Sequence, residues 1–203
     1  MEEQKKYIKE PPWRTVPRLK EKVGKLETLT TRDVSLTDLE NVRTFKERMN
    51  KAFVSLFREG HKRESEPKVI SIVMGDVDNF KKINDTYGHQ AGDKVLKVIS
   101  KILKDSVRDN DSAARYGGEE FSLGFIGLGE EDTLSRMEGV RQAIEKLHIT
   151  TDDGRVMPVT MSFGITSSKN ARTLEGAIKQ ADTALYEAKG NGRNRTTLFT
   201  NIA

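Results

Sequence analysis

The chain has 203 residues, and 35 Lys and Arg against 31 Asp and Glu give a formal charge of +4. It contains no Cys, which excludes a disulfide framework, a thiolate zinc site and a Cys nucleophile. No apolar run approaches the ~20 residues of a membrane span, Met1 to Glu10 lacks the apolar stretch of a signal peptide, and so modest a charge demands no nucleic-acid partner; a cytoplasmic, soluble protein is expected.

In chain order, Pro11, Pro12 and Pro17 bracket Trp13, and prolines this dense prevent a continuous helix. Leu19, Val23 and Leu26 then repeat at helical spacing. This two-turn seam suits a coiled-coil linker and a surface helix packed on its own domain equally well. Thr30 to Asp38 is a polar break with N-cap residues. Val42, Phe45, Met49, Phe53 and Leu56 predict a helix ending near Gly60, followed by a charged loop from His61 to Lys68. Val69 to Met74 reads as a strand buried on both faces. Its end, Gly75-Asp76-Val77-Asp78, brings two carboxylates to the tip. A short helix over Phe80–Tyr87, a turn over Gly88–Gly92 and a longer helix marked by Val95, Ile99 and Leu103 follow. Ala113 to Phe125 alternates around Gly117-Gly118, the pattern of a β-hairpin. Leu134, Met137, Ile144 and Leu147 predict another helix, and Val156 to Ile165 a strand with Pro158 near its start. Leu174 to Lys189 is an Ala-rich helix ended by Gly190 and Gly192, and Thr196 to Phe199 is a final edge strand. The order β-α-β-β-α-β predicts an α+β, ferredoxin-like palm with an antiparallel central sheet flanked by helices. A boundary is expected after residue 34, separating a Pro-containing segment and linker (1–34) from one domain (35–203).

The acids carry the chemistry. Asp76 and Asp78 end a buried strand, while Glu119 and Glu120 follow a double glycine at a hairpin tip. Both tips fall at one sheet edge if the strand and the hairpin are neighbours. Clustered carboxylates repel unless a cation sits among them, and hard oxygen donors favour Mg²⁺. The glycines let a phosphate chain approach the backbone. The constellation predicts metal-assisted chemistry on a nucleoside triphosphate.

Arg115-Tyr116-Gly117-Gly118-Glu119-Glu120-Phe121 resembles the signature of the GGDEF family, the diguanylate cyclases, in its Gly-Gly-Glu-Glu-Phe form. Asp76-Val77-Asp78-Asn79-Phe80-Lys81, Asn84-Asp85-Thr86-Tyr87-Gly88-His89 with Gly92-Asp93, Ser162-Phe163-Gly164-Ile165, Ala181-Asp182-Thr183-Ala184-Leu185-Tyr186 and Gly192-Arg193-Asn194 are similar to further family motifs. Leu36-Thr37-Asp38-Leu39-Glu40-Asn41 resembles its opening motif. The likeness covers about Ser35 to Phe199. It implies that Asp76, the Val77 carbonyl, Glu119 and Glu120 hold Mg²⁺ or Mn²⁺, and that Glu119, Glu120 and Lys81 serve catalysis. Which glutamate is the base stays open. Asn84 and Asp93 would read guanine, whose N1–H and amine suit a carboxylate, with His89 on the same nucleotide. Lys81, Lys189, Arg193 and the amides near Phe80 would meet phosphate.

The implied reaction condenses two GTP into cyclic di-GMP and two pyrophosphates across a homodimer. The implied inhibitory product site is Arg108 and Asp111, with Arg141 as a further contributor. A regulatory protein or a missing sensor is expected to act at the N-terminus. The alternative is a catalytically silent GGDEF domain serving as a receptor for GTP or cyclic di-GMP. The chain departs from the pattern at Asp38, where the family usually has Gly, at Val42, where it often has Arg, and at Gly75, where a larger apolar residue is common.

Overall fold

Strand β2 (Ile70–Val77) is buried along its whole length, and its alternating side chains feed two separate cores. Val73 and Val77 join Phe121, Leu123, Phe125, Phe163 and Ile165 on one face. Ile70, Ile72 and Met74 join Phe45, Met49 and Phe53 on the other. A computed structural model describes residues 33, 36–58 and 69–200. The prolines around Trp13, the Leu19–Leu26 seam, the helix end near Gly60 and the 61–68 loop lie outside the described residues, as does most of the Thr30–Asp38 break.

The elements run β1 (Glu40–Asn41), α1 (Val42–Phe57), β2, α2 (Phe80–Tyr87), α3 (His89–Asp105), β3 (Ser112–Gly117), β4 (Glu120–Ile126), α4 (Glu130–Glu145), β5 (Ile149–Thr150), β6 (Val156–Met157), β7 (Met161–Ser167), α5 (Leu174–Gly190) and β8 (Thr196–Leu198). One six-stranded sheet has the order β1-β3-β4-β2-β7-β8, and β5 and β6 form a separate pair. The four inner strands are antiparallel, whereas the edge strands β1 and β8 pair in parallel. Helices α2, α3 and α4 cover one face, and α1 and α5 the other. This is the expected palm. No described helix is long and apolar enough to cross a membrane.

Helix α5 lies directly on β7. A Cβ on Gly164 would stand 2.1 Å from the Ala181 carbonyl oxygen and 2.2 Å from the Leu185 nitrogen, so the absent side chain sets how closely helix and strand approach. Gly75 has the same kind of reason: the Phe163 ring lies 2.7 Å from where its Cβ would be. Asp38 adopts φ 53°, a left-handed conformation that Asp tolerates better than most residues, and its carboxylate meets Lys104 Nζ at 2.5 Å. Val42 is the half-buried first residue of α1.

Four expectations need correction. Strand β2 runs through Val77 rather than stopping at Met74, because Gly75 and Asp76 still pair with neighbours on both sides. Gly88–Gly92 is not a turn: Gly88 alone breaks the chain, with φ 87°, and α3 begins at His89. The segment Val156 to Ile165 is two strands in different sheets, separated around Pro158, and β5 pairs with the first of them. Helix α4 starts at Glu130 and ends at Glu145, short of Leu147.

Candidate active site

Pairing places Asp76 opposite Glu120. Directly opposed residues on neighbouring strands share a face, so both carboxylates stand on the α1/α5 side of the sheet edge. The Val77 amide donates to the Glu119 carbonyl at 3.3 Å, which draws the hairpin tip against the end of β2. Lys189, in the last turn of α5, brings its ammonium 2.8 Å from Asp76 Oδ2. Burial raises the Asp76 carboxyl above its ordinary value, and the nearby Glu119 and Glu120 charges add to this, while Lys189 opposes them. Glu120 is exposed and folds its Oε2 over Gly117, 2.9 Å from where a Cβ would be.

Asp182 stands within a family-like motif but carries no role predicted from the sequence. Seven residues before Lys189, it shares that face of α5, and its carboxyl is raised first by partial burial and then by the Glu120 charge. A polar residue two helical turns before a candidate phosphate-binding Lys was the available signal.

Asp78 does not join this cluster. Its Oδ1 accepts from Ser162 Oγ at 2.7 Å, and its Oδ2 accepts from Thr160 Oγ1 at 2.7 Å and from the Asn194 amide at 2.9 Å. The carboxylate is spent on holding β7 and the turn after α5. Arg115 has an equally structural part. Its guanidinium donates to the Gly118 carbonyl at 2.8 and 3.0 Å and pairs with Asp33 at 3.0 Å, tying the hairpin tip to residue 33.

On the other side of β2, α2 begins with Asn79 in a left-handed conformation (φ 54°) and no side-chain cap on its amides. Phe80 is buried, so its ring is turned into the core, while Lys81 is exposed. Asn84 lies across α3: a Cβ on Gly92 would be 2.0 Å from Asn84 Oδ1. Helix–helix contact therefore brings Asn84 beside Gly92-Asp93, with His89 and Asp93 exposed on α3. Arg193 follows Lys189 in the turn after α5 with φ 64°.

Arg108 and Asp111 lie elsewhere, in a cavity of about 480 Å³ lined also by Glu40, Arg48, Lys104 and Asp109. The buried Asp111 carboxylate accepts from the Arg108 amide at 3.1 Å and the Ile126 amide at 3.0 Å, which fixes the turn that presents Arg108. This loop and the hairpin tip sit at opposite ends of the six-residue strand β3, roughly 20 Å apart at ~3.3 Å per residue. Arg141 does not contribute there. It is buried against Glu138, Glu145 and Asn194, and its charge is committed to them.

The donor set at the sheet edge suits a hard divalent cation. Asp76, Glu119 and Glu120 offer oxygen ligands, and burial together with the Glu119 and Glu120 charges raises the Asp76 carboxyl, a balance that a bound cation would relieve. Among the described residues no three acids converge into a ready cage; Mg²⁺ takes few protein ligands and completes its shell with phosphate and water.

A family profile described as "Diguanylate cyclase, GGDEF domain" matches residues 31–195. Diguanylate cyclase A of Treponema denticola is 39% identical over 179 residues, covering 88% of this chain and 47% of that protein. Diguanylate cyclase VdcA of Vibrio cholerae is 39% identical over 186 residues, covering 89% and 50%. The chain thus spans about half the length of these curated relatives. Among solved structures, the coiled coil and GGDEF domain of DgcB from Caulobacter crescentus, in complex with c-di-GMP, superposes with a TM-score of 0.81 at 28% identity, covering 91% of this chain and 94% of that one. Diguanylate cyclase SiaD of Pseudomonas aeruginosa, in complex with its activator SiaC, superposes with a TM-score of 0.76 at 31% identity, covering 91% and 68%.

Proposed function

The chain belongs to the GGDEF family of diguanylate cyclases, and on that premise we propose that it condenses two GTP into cyclic di-GMP, releasing two pyrophosphates. The observation that carries the reading is the opposition of Asp76 and Glu120 across β2 and β4, with Lys189 on Asp76. It puts acids and a phosphate-seeking cation at one sheet edge. Residues 35–203 form the cyclase domain.

Asp76, Glu119, Glu120 and the Val77 carbonyl hold Mg²⁺ or Mn²⁺, which when bound polarises the phosphates and offsets the charge that develops on them. Lys189, released from Asp76, turns to the phosphate chain with Arg193, and Lys81 and the first amides of α2 meet it from the other side. Asp93 accepts from guanine N1–H and the exocyclic amine, donors that adenine does not present in that pattern, and Asn84 and His89 complete the nucleoside contacts. The 3′-hydroxyl on one copy attacks the α-phosphorus held by the other. The P–O bond to pyrophosphate breaks, and the hydroxyl proton passes to the acids of the hairpin tip. Two such attacks close the ring. One chain supplies one nucleotide, so assembly of two copies supplies the second reactant.

The Arg108–Asp111 cavity takes the product as a feedback inhibitor: an Arg grips a phosphate or a guanine edge through two bonds. The DgcB complex with c-di-GMP and the SiaD complex with an activator support a bound product and a regulatory protein as partners. The domain works in the cytoplasm. Purified chain with GTP and Mg²⁺ should yield cyclic di-GMP by chromatography. Glu120→Ala and Asp76→Ala should each lower the rate by about a hundredfold or more, and ATP should give no cyclic product. Undiminished synthesis by these variants would refute the assignment.

A further inference from the structure

The turn after α5 holds three consecutive left-handed residues: Gly192 at φ 108°, Arg193 at φ 64° and Asn194 at φ 46°. Such a conformation is strained for Arg and persists only when its surroundings impose it. The surroundings here come from two distant segments. Asp78, at the end of β2, accepts the Asn194 amide at 2.9 Å. Helix α4 grips the Asn194 side chain at both ends: Arg141 Nη1 donates to its Oδ1 at 2.6 Å, and its Nδ2 donates to Glu145 Oε1 at 2.7 Å. Arg141 is in turn fixed by a two-pronged pair with Glu138, at 2.7 and 2.9 Å, and by Glu145 at 2.8 Å. The Arg193 amide closes back on the Ala188 carbonyl at 3.0 Å.

A surface turn needs no such bracing to end a helix. Here a buried guanidinium, the Glu145 carboxylate and the Asp78 carboxylate, just past the end of β2, all bond Asn194, the residue next to Arg193. We propose that Arg141 and Asn194 are positioning residues for the nucleotide's phosphates: with Asp78 they lock the bend that presents Arg193 beside the Lys189–Asp76 pair. The proposal rests on the reading of Arg193 as a phosphate-binding residue given above. It makes α4, which contributes no group to the site, the anchor of the bend that carries Arg193.

The test is a double-mutant cycle on the full chain, read as binding of 3′-deoxy-GTP with Mg²⁺ by calorimetry. This nucleotide lacks the attacking hydroxyl and is not consumed. Asn194→Gly keeps the left-handed backbone and removes both side-chain bonds. It should weaken binding about tenfold in the native background and less than about twofold when Arg193 is already Ala. Arg141→Lys, which loses the two-pronged pair, should show the same dependence on Arg193. Asn194→Asp serves if the Gly variant melts early, since it keeps the acceptor for Arg141 and repels Glu145. Equal losses in both backgrounds, or no loss, would overturn the positioning role while leaving the functional reading standing. Failure of the native chain itself to bind would overturn the functional reading and this proposal with it.

Discussion

Gly92 lacks a side chain because Asn84 occupies its space, 2.0 Å from where a Cβ would stand. The obstructing atom belongs to a movable side chain, so Gly92→Ala should displace Asn84 without breaking the helix. Alanine is also the better helix former by about 1 kcal/mol. GTP affinity should fall about tenfold, the worth of a misplaced polar contact, with the melting temperature unchanged or slightly raised; calorimetry beside a thermal melt separates the two effects. Asp76 is the opposite case, a residue whose cost falls on the empty protein. Its carboxyl is raised above the ordinary 3.8, chiefly by burial. A raised acid contributes stability that is present below the unfolded value and lost as the pH rises through the folded one. Asp76→Asn should therefore not lower the melting temperature of the nucleotide-free protein at pH 8, yet should abolish the rise that GTP with Mg²⁺ gives the native chain. A lower melting temperature without ligand would contradict this account.

At the scale of elements, α5 touches β7 backbone to backbone at Gly164. Gly164→Ala has no flexible neighbour to push aside, so overpacking should destabilise the domain by about 2–3 kcal/mol, read as a melting temperature lower by roughly 5–10 °C. Helix α4 carries a different signature. Arg141 holds the Glu138 carboxyl below its ordinary 4.5. The stability from this pair is complete above that value and fades as the pH falls through the lower folded one. Thermal melts between pH 6 and pH 3 should thus fall less steeply for Arg141→Leu than for the native chain. Much of the layout was legible in the residues. Helix α2 matches its expected bounds because an Asp-Asn tip and Gly88 punctuate it, and the hairpin is marked by Gly117-Gly118. What stayed hidden had long-range causes. Gly92 looked like a breaker because its reason is a contact with another helix. Pro158 looked like an irregularity within one strand, whereas the chain there changes sheets. The acids Asp76, Glu119 and Glu120 were recognisable from their placement at two tips. Asp182 was not, and the sequence could not show that Asp78 faces Ser162 and Asn194 rather than the cluster.

Across the whole molecule, the candidate catalytic edge and the Arg108 cavity occupy opposite ends of β3, so the proposed feedback site stands apart from the proposed site of synthesis. Arg108→Ala should raise the plateau of cyclic di-GMP in a closed reaction several-fold, a difference that should vanish when a phosphodiesterase removes product throughout. Arg115 joins the hairpin tip to residue 33 through Gly118 and Asp33, which gives residue 33 a physical hold on the tip that carries Glu119 and Glu120. In the proposed reaction each copy brings one nucleotide and two copies must meet. The measurement that decides this is the initial rate of cyclic di-GMP formation against protein concentration, with product removed and the mass in solution followed by light scattering. The rate per chain should rise with concentration and fall toward zero where the mass is that of a 22.9 kDa monomer. A constant rate per chain in that monomeric range, or no product at any concentration, would contradict it.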